Sequence, residues 1–346
     1  MSYQILPNWD CGDQMYAYQA LQISCKAILT NKNYNQNWIT SCNNVLATYA
    51  HTDRKAREII EQNFSPYLVR YDDKVEGLFT GYYAPAISGS LYRNEEYSVP
   101  IYKTPNNLVQ KKTKSGTQYG RIVKGKLVPY YTREEISNNN YLSKKDVIAW
   151  VGSRIERTFL QIQGSGRIEL TNGETILVGY DSQNGHPYRP IGRYLLENKL
   201  IPREEITMQS IKKWLYDHPQ HANKVLNYDP SFVFFRVLSH SNPIGAQGVP
   251  LTPSYSIAID NNYYQYGTPV WLSTSYQTPE QKFQKLDRLL IAQDTGGAIN
   301  GPIRGDIFWG NGELAEYYAG HMKHPGTMFV LLPKSNEFRL TQTNIT

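Results

Sequence analysis

The sequence predicts an α+β fold in which short strands dominate and follow an N-terminal group of helices. Residues 13–30 and 35–50 carry apolar side chains at helical spacing, which predicts two amphipathic helices. From about Val69 the pattern changes to short apolar runs broken by Gly, Pro and Asn, as in GRIVKGKLVPYYT and ETILVGYDS. Turn residues recur too closely for a Rossmann or TIM architecture, so the pattern favours small, barrel-like sheets.

A third N-terminal helix is predicted after Asp53, which we expect to cap it, because Ala56, Ile59 and Ile60 fall on one face. If the first two helices form an antiparallel hairpin, Cys25 and Cys42 lie at similar heights on facing sides. A disulfide is compatible with that geometry, but we expect two buried free thiols instead.

Helical spacing returns in three places farther along the chain. Ile206–Tyr216 predicts a helix that ends by Pro219, residues 280–288 predict a short helix, and Glu313–Lys323 predict a third with Asn311 as its N-cap. Strands are predicted for TFLQIQGSGRIEL, SFVFFRVL, SYSIAID and TPVWLST.

Composition narrows the classes of partner. The chain has 28 tyrosines among 346 residues and a net charge of +6. Tyrosine combines a flat apolar face with a polar tip, which suits proteins that bind sugars or peptides, although strands of an ordinary β-rich protein also use it. The positive charge favours an anionic partner. No basic run is dense enough for a nucleic-acid footprint, and QKKTKSG indicates a solvated hairpin tip.

Membrane and export signals are absent from the sequence pattern. No apolar run approaches the roughly 20 residues that span a bilayer. The start, MSYQILPNWD, has neither the basic nor the long apolar region of a signal peptide. The chain is therefore either cytoplasmic or has lost an export signal. No cysteine or histidine spacing fits a metal site, and we expect neither a metal nor a cofactor.

The stretch AQDTGGAINGPIRGDIFWG places Asp294 and Asp306 twelve residues apart, and Arg304 is the other charged residue in it. Each carboxyl lies beside an apolar run, and loss of solvation there would raise its pKa and suit it to acid catalysis. The alternative is structural, since aspartates often bind loop amides at strand ends. The residues alone leave both interpretations open.

Two further stretches are candidates for sugar binding. IQGSGRIEL displays Gln163, Ser165 and Arg167 at a corner hinged on glycines, Gly164 among them. Amide and hydroxyl groups there suit the hydroxyl or amide groups of a sugar, and a plain hairpin turn explains the pattern equally well. FTGYYAP places Tyr82 and Tyr83 on opposite faces of a strand, so that one is free to stack on a sugar ring.

Together these stretches resemble the membrane-bound lytic murein transglycosylase A family over about Glu76 to Lys334. The C-terminal part also resembles the "three aspartate" domain, whose acids match Asp260, Asp294 and Asp306. The first 65 residues carry no such motif. The matching stretches are GLFTGYYAP, QIQGSGRI, GHPYRPIGRYL, NYDPSFVFFR, GAQGVPLTPSYSIAID, YGTPVWL and AQDTGGAINGPIRGDIFWGNG.

The resemblance implies a more specific fold. It implies that residues 1–100 and 238–346 together form one domain, a double-psi β-barrel with the N-terminal helices. Residues 101–237 would form a smaller, inserted β-barrel. It also implies a groove between the two that holds a glycan strand.

The resemblance also implies an activity, namely non-hydrolytic cleavage of the β-1,4 bond between N-acetylmuramic acid and N-acetylglucosamine, which leaves a 1,6-anhydromuramoyl end. The catalytic aspartate falls on Asp306 and the neighbouring acid on Asp294, whereas Asp260 is expected to organise the barrel. The expected partner is a peptidoglycan glycan strand, bound by a monomer in the periplasm. Association with the outer membrane would need an anchor that this sequence lacks. Substrate-binding roles are expected for Thr80, Tyr82, Tyr83, Gln163, Gly164, Ser165 and Arg304.

One carboxyl group suffices for this chemistry because the attacking C6 hydroxyl belongs to the substrate. Asp306 would protonate the leaving oxygen and later accept the C6 proton, while Asp294 keeps it protonated. Arg304 would meet a lactyl or peptide carboxylate. Two rivals stay open: a hydrolase in which Asp294 activates water beside Asp306, and a glycan-binding module without catalysis.

Overall fold

A computed structural model describes residues 2–113, 116–139, 141–239 and 243–335. Most elements of secondary structure are short, as the turn pattern predicts. The α-helices are α1 (Gln14–Leu29), α2 (Gln36–Ala47), α3 (Asp53–Asn63), α4 (Arg133–Asn138), α5 (Arg154–Gln163), α6 (Ile191–Glu197), α7 (Met208–Asp217), α8 (Pro219–Asn227) and α9 (Glu313–His321). Short 3-10 turns cover Tyr3–Ile5, Trp9–Cys11, Lys144–Asp146 and Arg203–Glu205.

The strands form two groups. One group comes from the N-terminal and C-terminal parts of the chain, and the other comes from the long middle segment between them. They are β1 (Phe64–Leu68), β2 (Glu76–Ala84), β3 (Ala86–Ser90), β4 (Val99–Tyr102), β5 (Val109–Thr113), β6 (Gly116–Val123), β7 (Lys126–Val128), β8 (Val147–Val151), β9 (Ser165–Leu170), β10 (Thr175–Gln183), β11 (Val233–Val237), β12 (Ser256–Ile259), β13 (Pro269–Gln277), β14 (Phe283–Asp294), β15 (Arg304–Asn311) and β16 (Lys323–Pro333).

The chain divides into two compact units, of which the first comprises Met1–Tyr82 and Ile244–Thr346. Its seven-stranded sheet has the order β1-β16-β13-β14-β12-β15-β2, and β16 also pairs with β2. The strands from β16 to β2 therefore close into a ring, which β1 joins at β16. Helices α1 to α3 cover one side of this ring, where their apolar faces pack on Trp271, Leu289, Ile291, Phe329 and Leu331.

The second unit, Tyr83–Pro243, contains a six-stranded sheet of order β11-β10-β9-β3-β8-β4. A parallel bridge between Lys103 and Phe235 joins its two ends. Helices α5 to α8 pack against one another around Leu195 and Leu215, both fully buried. The middle segment thus has its own closed sheet and its own core.

Strands β5, β6 and β7 form a separate three-stranded sheet in the second unit. Thr113 pairs with Gly116 at the end of the β5–β6 ladder. The hairpin tip that QKKTKSG predicts includes residues 114–115, which lie outside the described part of the chain.

The three N-terminal helices are confirmed, but several other local predictions are wrong. Residues 283–294 form strand β14, because its residues Phe283 to Ile291 pair with β13 in a long hairpin. The run TFLQIQ belongs to helix α5, which ends at Gly164 in the left-handed region (φ +75°). The helix predicted for Ile206–Tyr216 is confirmed as α7, which ends before Pro219, and Pro219 is also the first residue of α8.

The predicted caps also differ. Thr52, not Asp53, caps α3 through its side chain, and the Asp53 carboxylate accepts a hydrogen bond from Met15 N instead (2.8 Å). Gly312, not Asn311, occupies the N-cap position of α9 and makes no side-chain cap.

Cys25 and Cys42 form a disulfide that joins α1 to α2, with 4.9 Å between their α carbons. The expectation of two free thiols is therefore wrong, although both residues are fully buried as expected. Cys11 is free and exposed. In the described ranges, no helix is both long and apolar enough to cross a bilayer.

Candidate active site

Two acidic side chains flank a single residue of the ring in the first unit. Strand β12 lies between β14 and β15, and Ala258 is the register partner of Asp294 in β14 and of Asp306 in β15. Directly opposed residues share one face of a sheet. Since neighbouring strands lie about 4.8 Å apart, the two α carbons are separated by roughly 10 Å. The sheet thus brings together the two acids that the sequence singles out.

Asp306 is held by a relay of two side chains. The Thr80 hydroxyl on β2 donates to Asp306 Oδ1 at 2.5 Å. The same hydroxyl oxygen accepts a hydrogen bond from Arg304 Nη2 at 2.9 Å. The guanidinium therefore polarises the hydroxyl that binds the carboxyl group. Among the residues that the structure describes, Oδ2 of Asp306 has no hydrogen-bond donor.

Asp294 is bound more tightly, through both of its oxygens. Oδ2 accepts from the Tyr82 hydroxyl at 2.7 Å, while Oδ1 accepts from the backbone amides of Ala246 and Thr295, each at 2.9 Å. The Thr295 hydroxyl in turn donates to the Ile259 carbonyl at 2.7 Å. Each oxygen of Asp294 therefore already has a partner within the protein.

The surroundings of the two carboxyl groups raise both of their pKa values. Burial raises the pKa of Asp306 to about 6, and the negative charge of Asp294 adds to the rise, against the opposing effects of the Thr80 hydrogen bond and the Arg304 charge. Burial also raises the pKa of Asp294, and the bonds from Tyr82, Ala246 and Thr295 oppose this rise. A carboxyl group with a pKa near 6 keeps a proton available close to neutral pH.

Tyr82 and Arg304 complete the site. Tyr82 is 9% exposed and packs on Phe308, with 5.2 Å between ring centroids. Burial raises the pKa of Tyr82 well above its usual range, so the phenol stays a donor to Asp294. Arg304 Nη1 donates to the carbonyls of Leu78 and Gly305, and burial lowers the pKa of its guanidinium.

Asp260 lies after strand β12 and holds the loop that joins the two acids. Its Oδ2 accepts from the Gly301 amide at 2.7 Å, and its Oδ1 accepts from the backbone and side chain of Asn262. Burial alone would raise its pKa, but these hydrogen bonds outweigh that effect and lower it. Asp260 is 5% exposed and makes contacts suited to an organising role.

The remaining predicted residues form a cluster in the second unit. The Gln163 side chain accepts from Tyr83 N at 3.0 Å and donates to Met208 Sδ at 3.4 Å. Gly164 ends α5, and Ser165 begins β9. Ser165 is 6% exposed, so the expectation that its side chain is displayed is wrong. The roles of these residues in substrate binding stay a prediction.

Sequence reasoning missed the Ala246 amide and Thr295 as partners of Asp294. A backbone amide carries no signal in residue type. Thr295 follows Asp294 directly, where a hydroxyl residue is typical of the turn it makes, so that signal was available.

Comparison with known proteins identifies the family. The crystal structure of MltA from Neisseria gonorrhoeae superposes with a TM-score of 0.82 at 31% identity, over 96% of this chain and 91% of that one. The chain belongs to the MltA family. Models of the MltA specific insert domain and of the 3D domain match residues 78–236 and 255–332. The resemblance drawn from the motifs is confirmed.

A sequence and a structure from Escherichia coli extend the comparison. Membrane-bound lytic murein transglycosylase A of strain K12 is 33% identical over 257 residues, which are 73% of this chain and 65% of that protein. The match thus spans slightly less than two thirds of that relative's length. A crystal structure of E. coli MltA with bound chitohexaose has a TM-score of 0.74 at 28% identity, covering 94% of this chain and 92% of that one. The mixed helix and sheet architecture is that of the MltA fold.

Proposed function

We propose that this protein is a lytic transglycosylase that cleaves the β-1,4 bond between N-acetylmuramic acid and N-acetylglucosamine in peptidoglycan. The product would carry a 1,6-anhydromuramoyl end. The names of the relatives support a murein substrate. The E. coli MltA structure with chitohexaose supports binding of a linear oligosaccharide.

The observation that carries this proposal is the unequal hydrogen bonding of the two acids. Asp294 accepts three hydrogen bonds, from a phenol and two amides at its two oxygens, and is therefore less available than Asp306 for activating a water. Asp306 combines a raised pKa of about 6 with an unoccupied Oδ2 among the described residues. One available carboxyl group fits a reaction whose nucleophile is supplied by the substrate, whereas hydrolysis ordinarily uses two.

Asp306 acts first as an acid and then as a base. Its proton passes to the glycosidic oxygen as the bond to C1 of N-acetylmuramic acid breaks. The C6 hydroxyl of the same sugar then attacks C1, and its proton passes to the Asp306 carboxylate. The tethered hydroxyl supplies much of the rate through proximity. The enzyme ends in its starting protonation state, and no water is consumed because the nucleophile is the C6 hydroxyl of the substrate.

The other site residues take supporting roles. Asp294 keeps Asp306 protonated in the free enzyme through its negative charge. Thr80 and Tyr82 orient the acids, and Arg304 keeps Thr80 polarised as well as favouring a substrate carboxylate. Gln163 and Gly164 bind N-acetyl and hydroxyl groups of the glycan, and Tyr83 and Ser165 support them from buried positions (4% and 6% exposed). Since Tyr82 and Tyr83 are both buried, the expectation that one of them is free to stack on a sugar ring is wrong.

We propose two finer points of structure and location on the same basis. The closed ring of the first unit is a double-psi β-barrel, and the second unit is the smaller barrel inserted into it, with bounds at Tyr83–Pro243 in place of the expected residues 101–237, because β3 and β4 belong to its sheet. The protein acts as a monomer in the periplasm, associated with the outer membrane. The closing pairing of β16 with β2 and the membrane-bound relatives support these points.

Mass spectrometry of digested peptidoglycan tests the reaction. Wild-type protein should release products lighter by one water than reducing-end products, because the ring closes internally. Asp306→Asn should lower turnover by ~10²–10⁴-fold, the usual contribution of an acid–base group, with glycan affinity retained. Asp294→Asn should lower it less. The control Asp217→Asn, an exposed aspartate on α7, should behave as wild type.

The two alternative functions, a hydrolase and a glycan-binding module, predict different results in these assays. Reducing ends alone would show hydrolysis and overturn the single-acid chemistry. Equal losses in the Asp294 and Asp306 variants would favour a catalytic pair. Unchanged turnover in Asp306→Asn would move the catalytic assignment elsewhere, and binding with no product from wild type would favour the glycan-binding module.

A further inference from the structure

A buried polar network connects helix α1 to the carboxylate of Asp294. It starts at an irregularity in the sheet, where β12 pairs Ile257 with Ala292 but Ala258 with Asp294. Gln293 is the extra residue and has no register partner in β12, as in a β-bulge. The bulge lets Asp294 face Ala258 while the fully buried side chain of Gln293 turns toward α1.

The Gln293 amide is fully paired. Its Nε2 donates to the Ala20 carbonyl at 3.1 Å and to Ser24 Oγ at 2.9 Å, both on α1. Its Oε1 accepts from Ser256 Oγ at 2.5 Å. Ser24, Ser256 and Gln293 are each 0% exposed. Buried polar groups that are fully paired fix one arrangement of the chain, because any other leaves a donor or acceptor unmet.

Ser24 and Gln293 also hold the loop that carries Ala246. Ser24 Oγ donates to Gln247 Oε1 at 2.8 Å, and Gln247 N donates to the Gln293 carbonyl at 3.0 Å. Gly245 allows this close approach, because a β carbon there would lie 2.4 Å from the Gln293 carbonyl oxygen. The loop is therefore clamped on both sides of Ala246, whose amide binds Asp294 at 2.9 Å.

We propose that Ser24, Gln247 and Gln293 are positioning residues, through which helix α1 holds the Ala246 amide on the carboxylate of Asp294. This inference rests on the proposed function. It gives a role in the reaction to an N-terminal helix that precedes both matched family models, the first of which begins at residue 78. None of the three side chains has to touch substrate.

The network affects the acids in a defined direction. The ionisable groups whose charges act on Asp294 or share its site are Tyr82 on β2, Tyr266 before β13, and Arg304 and Asp306 on β15. Loss of the Ala246 hydrogen bond removes an interaction that favours ionised Asp294. Asp294 then becomes neutral over a wider pH range, and its charge opposes ionisation of Asp306 less. Asp306 should consequently lose its proton at lower pH.

The test measures kcat and KM against pH for release of anhydro ends, in wild type, Gln247→Leu and Ser24→Ala. Both variants should move the alkaline limb of the kcat/KM profile down by at least about 0.5 pH unit. Each should lower kcat about tenfold with KM within about twofold, as expected for lost positioning. Gln22→Leu is the matched control, since Gln22 lies on α1 but its side chain contacts Tyr18 and the Val45 carbonyl, away from the network.

The outcomes separate the two proposals. A wild-type alkaline limb in folded Gln247→Leu or Ser24→Ala would overturn the positioning role, whatever the change in thermal stability. If Gln247→Leu fails to fold, Ser24→Ala decides, because it removes one oxygen only. The double variant should lose little more than either single variant, since both break one network. Wild type that forms no anhydro ends would instead overturn the proposed function itself.

Discussion

Replacement of Thr80 by valine isolates the hydrogen bond that opposes the raised pKa of Asp306. Valine keeps the shape of threonine and removes the hydroxyl that donates to Asp306 Oδ1 at 2.5 Å. It also breaks the connection from Arg304 to the carboxyl group. Since the bond stabilises ionised Asp306, its loss should raise the pKa of that carboxyl further.

The size of the effect follows from the strength of the bond. A hydrogen bond to a charged group contributes about 1.5–3 kcal/mol, and one pKa unit corresponds to about 1.36 kcal/mol. Asp306 is partly exposed, so solvent screening favours the lower end of that range. We therefore expect the pKa of Asp306 to rise by about one unit, from about 6 in the wild type.

The pH profile of kcat/KM measures this change, because the free enzyme must carry the proton on Asp306. The alkaline limb of the Thr80→Val profile should move up by about one pH unit. Thr274→Val is the matched control: Thr274 is also a barrel threonine, but its hydroxyl donates to the Pro325 carbonyl at 2.7 Å. An alkaline limb that stays in place or moves down in Thr80→Val would refute the assignment of Asp306 as the acid.

Two further predictions concern stability and backbone fit. The folded-state pKa of Asp306 lies above its usual value of 3.8, so its contribution to stability is present at low pH and is lost as pH rises through about 6. Asp306→Asn should thus be more stable than wild type by ~1–2 kcal/mol at pH 8 and lose that advantage below pH 4, in urea titrations at each pH. Gly245→Ala should lower kcat at least about tenfold by displacing the Ala246 loop, because its β carbon would meet the Gln293 carbonyl oxygen at 2.4 Å. Gly152→Ala, whose β carbon meets ordinary contacts at 3.5 Å or more, should be active; equal losses in both would rule out the clash as the cause.

Sequence patterns predicted the elements whose apolar spacing is long and regular. Helices α1 and α2 each bury one continuous face, and their extents follow closely from Tyr18, Leu21, Cys25 and Ile28 and from Trp38, Cys42 and Val45. Asp294 and Asp306 could also be recognised from the sequence, because charged carboxyl groups are seldom placed beside apolar runs. The pairing of both with Ala258 needed the sheet itself.

The errors have physical causes that the local sequence does not contain. Residues 280–288 mix charged and apolar side chains over too short a span to separate a helix from a strand. The hairpin with β13 decides, with a turn in which Gln281 has positive φ (61°). Pro219 marks a helix start as well as a stop, because a first-turn proline loses no hydrogen bond.

The buried network around Gln293 shows a second limit of prediction from the sequence. Gln293 interrupts the apolar run LLIAQD, and a buried amide in a strand requires partners. Its partners on α1, Ala20 and Ser24, lie about 270 residues earlier in the chain. Short-range patterns therefore reveal that a partner is needed but do not reveal which residue provides it.

The different roles proposed for Asp294 and Asp306 follow from the backbone around each of them. Asp294 lies at the end of β14 beside a bulge, where the Thr295 amide and the Ala246 loop supply two amide donors in addition to the Tyr82 hydroxyl. Asp306 lies within β15, where the amides are used by the sheet and the only described donor is the Thr80 hydroxyl. In the proposed function, the same burial therefore leaves Asp294 as the charged neighbour and Asp306 as the group that exchanges a proton. Substitutions that exchange donors between these positions should exchange the roles more effectively than substitutions of the acids themselves.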